Sequence, residues 1–367
     1  MKILLLGEYS NVHNTLAQGL RALGHEVCVA SNGDFWKDYP RDIDLKHEFG
    51  IKGQVSFLWR LMKALPRMRG YDVVQLINPL FFELKAERMA PFYRYLRRHN
   101  KRVVMCAYGM DYYWVNINDT IKPLRYSDFN FGDTVRHDPV TEEFRHDWVG
   151  TAKQTLNEMI AHDCDAIVSG LYEYWATYNE VETLRHKNHF IPFPIMPTDA
   201  TTDATFSLPI KLFIGISGKR NVYKGTDVML RVAQDLQAKY PERVELKIAN
   251  GVPFNEYQHM MDSSDIILDQ LYAYTPAMNA LLAMSKGIIV CGGGEPENYE
   301  ILGEETLRPI INVLPTYDSC YQELEHIILH PERIAKMKQE SIEYIRRHHD
   351  YIKVARQYLN LYDELSN

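Results

Sequence analysis

Residues 2–31, KILLLGEYSNVHNTLAQGLRALGHEVCVAS, open the chain and set its architecture. The apolar run from Lys2 to Gly7 turns through Glu8-Tyr9-Ser10-Asn11 into a stretch with Leu16, Leu20 and Leu23 near one face, and Gly24 closes it. Residues 26–31 then read as a second strand. This is a βαβ start, and its first turn lies where α/β sheets place ligands, at the carboxyl ends of the strands. It lacks a G-x-G-x-x-G, so no dinucleotide cofactor is expected.

The alternation continues. Strands are expected at 72–77, 102–107 and 166–169, with a basic helix near 92–98 and another helix near 151–162, which together imply a parallel sheet. Between Tyr112 and Gly150 the rhythm fails, and the polar, aromatic segment reads as a long functional loop or partly helical insert covering a cleft. A Pro/Thr/Asp/Ala run at 196–207 reads as an interdomain linker. A second βα series follows, with strands at 211–216, 244–249, 266–269 and 288–291 and helices at 226–239 and 276–286. The 367 residues fit two α/β domains of ordinary size.

Composition narrows the function classes. At 46% hydrophobic and 24% charged the chain is an ordinary globular protein. Its five cysteines, Cys28, Cys106, Cys164, Cys291 and Cys320, have no C-x-x-C spacing, which argues against a zinc knuckle or disulfide framework and suits a reducing, cytoplasmic compartment. No apolar stretch approaches about 18 residues, so no membrane span is expected. Residues 52–102 carry twelve Lys/Arg against three Asp/Glu. That segment, with Phe57, Leu58, Trp59, Leu61, Met62 and Leu65 among its cations, has the makings of a peripheral contact with an anionic membrane. Residues 196–367 hold the whole acidic excess, and neither half is basic throughout, so nucleic acid is not an expected partner.

Two stretches carry anion chemistry. In residues 274–287 Thr275 suits an N-cap, Pro276 the first helical position and Gly287 the stop, so a helix start would offer free amides to a phosphate. Residues 217–225, SGKRNVYKG, set Arg220 and Lys224 four apart in a glycine-bounded loop after a strand, a spacing that can clamp a diphosphate. Asn250-Gly251 closes another strand and would let a nucleoside approach the backbone. On the first half Gly7, Glu8, Asn11 and His13 follow strand one and are candidates to face an acceptor. Tyr108 and Asp111, at another strand's carboxyl end, are candidates for orienting donor or acceptor hydroxyls. His137-Asp138 and His146-Asp147 have no fixed ligand geometry, and no metal is expected.

R-x-x-x-K-G after the first strand of the second domain, N-G after another strand and A-M-x-x-G before a strand together resemble the glycosyltransferase family 4 pattern, over nearly the whole chain. Gly24-His25-Glu26-Val27, Tyr71-Asp72-Val73-Val74 and the Gly292-Gly293-Gly294-Glu295-Pro296-Glu297 turn fit it as well. The resemblance implies a GT-B fold: two Rossmann-like domains facing across a cleft, 1–195 on the acceptor side and 196–345 on the donor side, with a C-terminal helix, 346–367, returning to the first. It implies a nucleotide-sugar donor held by Arg220, Lys224, Gly225, Asn250, Gly251, Tyr274, Thr275, Pro276 and Asn279, without a cofactor. The expected activity is retaining glycosyl transfer to a saccharide or lipid-linked acceptor in surface polysaccharide assembly. The family's two glutamates fall at Tyr274 and Leu282, which leaves open a non-catalytic protein that binds a nucleotide sugar or a partner transferase, and a sugar-nucleotide epimerase.

Overall fold

The strand residues Ile3 to Leu6, Val73, Val74, Val103 to Ala107 and Ile210 to Ile214, Lys211 excepted, are fully or almost fully buried. Strands apolar on both faces belong to parallel sheets covered by helices on both sides, and two such sheets form. The structure is a computed structural model that describes residues 1–48, 50–198 and 206–366. It divides into two compact units: Met1–Pro123 with Phe144–Pro194 and Tyr351–Asn367, and Leu124–Glu143 with Ile195–Asp350.

The first unit holds a seven-stranded parallel sheet in the order Ile43–Asp44, Glu26–Ser31, Lys2–Leu6, Val73–Leu76, Arg102–Ala107, Ala166–Ser169, Asn188–Phe190. Leu4 pairs with Cys28 on one side and Val74 on the other. The order reverses beside Lys2–Leu6, which makes the turn after Gly7 the switch point of a doubly wound sheet. The second unit holds five parallel strands in the order Val244–Asn250, Ile210–Ile216, Ile266–Leu268, Ile289–Gly292, Ile311–Asn312. Ile214 pairs with Ile248 and Leu268, so here the switch point lies after Ile216 and Leu268. Each unit has its own apolar core. Both units are Rossmann-like, as the alternation of strands and helices implies. No described helix is long and apolar enough to cross a membrane.

The irregular stretch resolves into more structure than its sequence signals. Helices Tyr112–Thr120 and Pro139–Trp148 flank a small hairpin of Asn130–Phe131 and Thr134–Val135. The first helix is capped by Asp111, which accepts from the Trp114 amide at 2.8 Å. Its Tyr113, Trp114, Val115, Ile117 and Asn118 are all buried, so the buried side is wide and includes a polar residue, and only Asn116, Asp119 and Thr120 mark the other side. Residues 124–143 belong to the second unit although they precede the rest of it by some fifty positions. Most of the linker read at 196–207 lies outside the described residues, which resume at Phe206.

The C-terminal helix Tyr351–Ser366 belongs to the first unit, as the resemblance implies, and begins five residues later than position 346. It lies against the helix Val12–Ala22 at Gly19, whose missing side chain makes room for the Tyr351 carbonyl; a Cβ there would also sit 2.8 Å from the Ala355 methyl group. Gly19→Ala ordinarily gains up to about 1 kcal/mol in a helix interior. Here the added carbon has backbone to displace, and the variant is expected to lose about 1–3 kcal/mol of stability, read from urea midpoints. A midpoint at or above the wild-type value would show that the two helices separate freely.

Candidate functional site

The second unit gathers most of the expected donor residues at its switch point. The loop after Ile210–Ile216 carries Arg220, exposed, at the start of the four-residue helix Asn221–Lys224. Gly225 follows at φ +74°, a conformation that side chains rarely adopt, and a Cβ there would lie 2.8 Å from Leu271. Leu271 donates its amide to the Lys224 carbonyl at 2.9 Å, tying this loop to the one after Ile266–Leu268. Lys224 thereby faces Asp269. Burial raises the Asp269 carboxyl above its usual range, while the Lys224 charge and a hydrogen bond from Asn279 pull it back. Asn279 also donates to the Tyr257 hydroxyl at 3.0 Å, and the Tyr257 ring stands edge-on to Phe213 at 5.1 Å. Asn250 and Gly251 end the edge strand, exposed, with Gly251 at φ +66°.

Tyr257 and Asp269 are members of this site that the sequence reading did not single out. Asp269 ends an apolar strand beside the switch point, a signal that position alone supplies. Among the described residues Arg220 has no ion pair, and no group of three or more His, Cys, Asp and Glu side chains could hold a metal ion.

The helix start differs from the expected one. Helix Met278–Ser285 has Ala277 as its N-cap, two residues beyond the cap expected at Thr275. Thr275 and Tyr274 are buried against the glycine turn: a Cβ on Gly293 would stand 3.0 Å from the Thr275 amide, and the Glu295 amide donates to the Tyr274 carbonyl at 3.2 Å. That lateral tie holds residues 274–277 off the helical path, and the free amides of the helix start belong to the Met278 turn.

Residues 124–143 brace this region. The Arg136 guanidinium lies 3.3 Å from the Tyr272 ring centroid and donates to the carbonyls of Val222 at 2.9 Å and Tyr223 at 3.2 Å. Asp128 accepts from the Tyr223 hydroxyl at 2.6 Å. Arg125 donates to Glu295 at 2.7 Å and to both oxygens of Glu297, and Tyr126 donates to Glu295 at 2.5 Å. The Arg125 amide donates to the Tyr274 hydroxyl at 2.8 Å, with the Tyr126 ring 4.8 Å away. Tyr274 therefore stands where the family resemblance places a glutamate, but it is almost fully buried and its hydroxyl already accepts a hydrogen bond.

The acceptor-side and orienting candidates lie in the first unit, and most are turned inward. Glu8 accepts from the His13 amide at 3.2 Å and the Asn14 amide at 2.8 Å, closing the start of helix Val12–Ala22. Burial outweighs these two bonds and holds its carboxyl up at about 8. Asn11 precedes the helix at φ +72° and accepts from Asn14 Nδ2 at 2.9 Å. His13 is fully buried, its Nδ1 2.9 Å from the Gly7 carbonyl, and burial lowers its pKa to about 3. Asp111 accepts from the Tyr178 hydroxyl at 2.7 Å as well as capping its helix, and Tyr108 shares a hydrogen bond with Tyr358. A cavity of about 620 Å³ opens in this unit, lined in part by Tyr9, Phe35, Gln54, Phe82, Glu83 and Arg88 and by none of these candidates. A narrow recess off it reaches Gly7 and Glu8.

No family model and no curated protein matches the sequence. Solved structures do match. The Anabaena protein HepE in complex with UDP-glucose superposes with a TM-score of 0.62 at 10% identity, covering 99% of this chain and 100% of that one. Sucrose-phosphate synthase from Thermosynechococcus elongatus gives 0.60 at 11% identity over 100% and 99%. The catalytic domain of starch synthase IV from Arabidopsis thaliana, bound to ADP and acarbose, gives 0.59 at 11% over the full length of both. The chain has the GT-B fold. At such identities the likeness extends to the fold, and the chemistry rests on the residues themselves.

Two outcomes test this geometry. Arg136→Ala removes a guanidinium that is largely buried and leaves four carbonyls, those of Ser127, Asp128, Val222 and Tyr223, short of a donor, so it is expected to cost at least about 2 kcal/mol in urea unfolding. Arg136→Lys should recover little, because an ammonium lacks the planar fork. Glu8 holds its proton to about pH 8 when folded but releases it near 4.5 when unfolded. The folded state therefore binds more protons across that window, and stability falls as pH rises through it, by on the order of 5 kcal/mol in full. Glu8→Gln should flatten the stability profile between pH 5 and pH 8; parallel profiles would mean that folded Glu8 is already ionised.

Proposed function

We propose that the chain is a retaining glycosyltransferase that moves a sugar from a nucleotide diphosphate to a saccharide or lipid-linked acceptor. The observation that carries this reading is the meeting of Arg220, Lys224, Asp269 and Asn279 at the switch point of the second sheet. Arg220 and Lys224 supply the charge that a diphosphate needs, and the amides of the Met278 turn add to it. Asn250 and Gly251 leave the backbone open to a nucleoside. Asn279 and Asp269 offer a donor and an acceptor to sugar hydroxyls in place of the carboxylates that Tyr274 and Leu282 do not supply.

Transfer at such a site runs on leaving-group stabilisation. As the bond from the anomeric carbon to the diphosphate oxygen lengthens, negative charge grows on the diphosphate, and Arg220 and Lys224 are already in place to meet it. The acceptor oxygen forms the new bond on the same face, and its proton passes to the departing diphosphate. HepE was solved with UDP and with UDP-glucose, and starch synthase IV with ADP, which supports a nucleotide diphosphate as the donor's handle here too. A cytoplasmic role in building surface polysaccharide, at the inner face of the membrane, fits a lipid-linked acceptor.

Thermal unfolding with UDP, GDP and ADP sugars tests the reading, since a ligand of the native state raises its apparent stability. One nucleotide class should raise the midpoint, and Arg220→Ala and Lys224→Ala should each weaken binding by about 10-fold to 100-fold. Wild-type binding in both variants would sink the proposed clamp. Binding without transfer or hydrolysis would leave a nucleotide-sugar binder in place of an enzyme.

A further inference from the structure

The helix Ile51–Ala64 is apolar on two opposite faces. At about 100° per residue, Gly53, Phe57, Leu61 and Ala64 fall on one side and are buried in the first unit. Ile51, Val55, Trp59 and Met62 fall together on the other side and are 82, 62, 59 and 59% exposed. A surface helix of a water-soluble unit normally turns polar residues outward, so a stripe of four large apolar side chains in solvent needs a partner. Ile51, Val55 and Trp59 also line a shallow groove of about 490 Å³ with Lys52 and Ser56.

The charge around the stripe says what that partner is. Residues 51–71 contain five Lys/Arg and no Asp/Glu. Lys52 and Lys63 run along one edge of the stripe, and the Lys63 ammonium lies 4.0 Å from the Trp59 ring centroid. Arg60 is turned away, paired with Asp44 at 3.2 Å. Exposed Arg67 and Arg69 extend the cationic edge past the helix end.

We infer that this face docks on an anionic lipid bilayer, with Val55, Trp59 and Met62 entering the headgroup–acyl boundary and Lys52 and Lys63 resting on anionic headgroups. A second copy of the chain fits less well. A twofold pair would set this face against itself, and the cationic edges would meet like charge with no acid on the helix to offset it. The same contrast narrows the basic segment 52–102 to its first third. Farther along, Arg97 is held by Asp165 at 2.6 Å and Lys101 by Asp72 at 2.7 Å, and the exposed Arg94 and Arg98 have no exposed large apolar side chain among the described residues 65–102 to accompany them. The inference goes beyond the transfer reading and does not depend on it.

Co-sedimentation of the full chain with vesicles decides it, using equal parts phosphatidylglycerol and phosphatidylcholine against phosphatidylcholine alone. The wild type is expected to pellet with the anionic vesicles and to release in high salt. Val55→Asp/Trp59→Asp should lose at least tenfold in affinity, with its thermal midpoint retained because both side chains are exposed. Lys52→Glu/Lys63→Glu should lose about fivefold per cation on anionic vesicles. Wild-type protein that stays in the supernatant would overturn the inference, as would unchanged binding in both double variants. A dimer in size-exclusion chromatography that Trp59→Asp dissociates, with no vesicle binding, would assign the face to a second copy instead. Nucleotide-sugar binding is read in a separate assay with separate variants, so failure of either reading leaves the other standing.

Discussion

The contact of Arg136 with the ring of Tyr272 and the carbonyls of Val222 and Tyr223 fixes the loop on which the second unit's chemistry depends. A helix of four residues, Asn221–Lys224, is far below the length at which a helix sustains itself in water. Its shape comes from outside. Arg136 holds two of its carbonyls, Asp128 holds the hydroxyl of Tyr223, and Leu271 holds its last carbonyl from the loop after Ile266–Leu268. Arg220 and Lys224 sit at the two ends of that helix, so their spacing is inherited from residues some ninety positions earlier. In the proposed clamp, charges that meet a diphosphate work best when their geometry costs nothing to assemble at the moment of binding, and the brace would provide that.

The same brace explains Tyr274. Where the resemblance leads one to expect a carboxylate, the chain has a buried phenol packed between Tyr126 and the Arg125 guanidinium, which is 5.0 Å from its ring. A carboxylate in that position would sit beside Glu295 and Glu297, with Arg125 already committed to both. Three carboxylates around one guanidinium would repel, and a neutral ring removes the conflict. Residues 124–143 and the tyrosine are thus parts of one solution to packing, and in the proposed transfer the hydrogen bonds to a sugar are left to Asn279 and Asp269.

Much of this fold is legible in the sequence, because buried parallel strands and capped helices leave periodic traces. The apolar runs of both sheets and the helices Thr226–Lys239 and Ala152–Asp163 can all be read from residue type and spacing. Helix Tyr112–Thr120 is harder to read, since it has only nine residues and its wide buried side includes the polar Asn118, which blurs the amphipathic period. The allegiance of residues 124–143 cannot be read, since it rests on single long-range contacts such as Arg125 to Glu295, 170 positions apart. Position is legible where orientation is not: Glu8 and His13 lie at the switch point as their place after strand one implies, but the open amides of Val12–Ala22 and the first turn's carbonyl draw both inward.

That inward turn reaches the far end of the chain. His13 is buried and neutral, and the Gly7 carbonyl beside its Nδ1 can only accept, so the ring proton sits on Nδ1. Nε2 must then accept, and Gln75 must present its amide NH₂ there at 3.2 Å. The Gln75 oxygen is left facing the Tyr362 hydroxyl at 2.6 Å, which donates to it. Every group in this relay is buried, and reversing any one amide or proton would set two acceptors against each other at hydrogen-bond distance. Tyr362 stands on the C-terminal helix, and Gly7 turns the chain out of its first strand at φ +83°. The last helix of the sequence thereby holds the first turn of the sheet, the one beside which the cavity of the first unit opens.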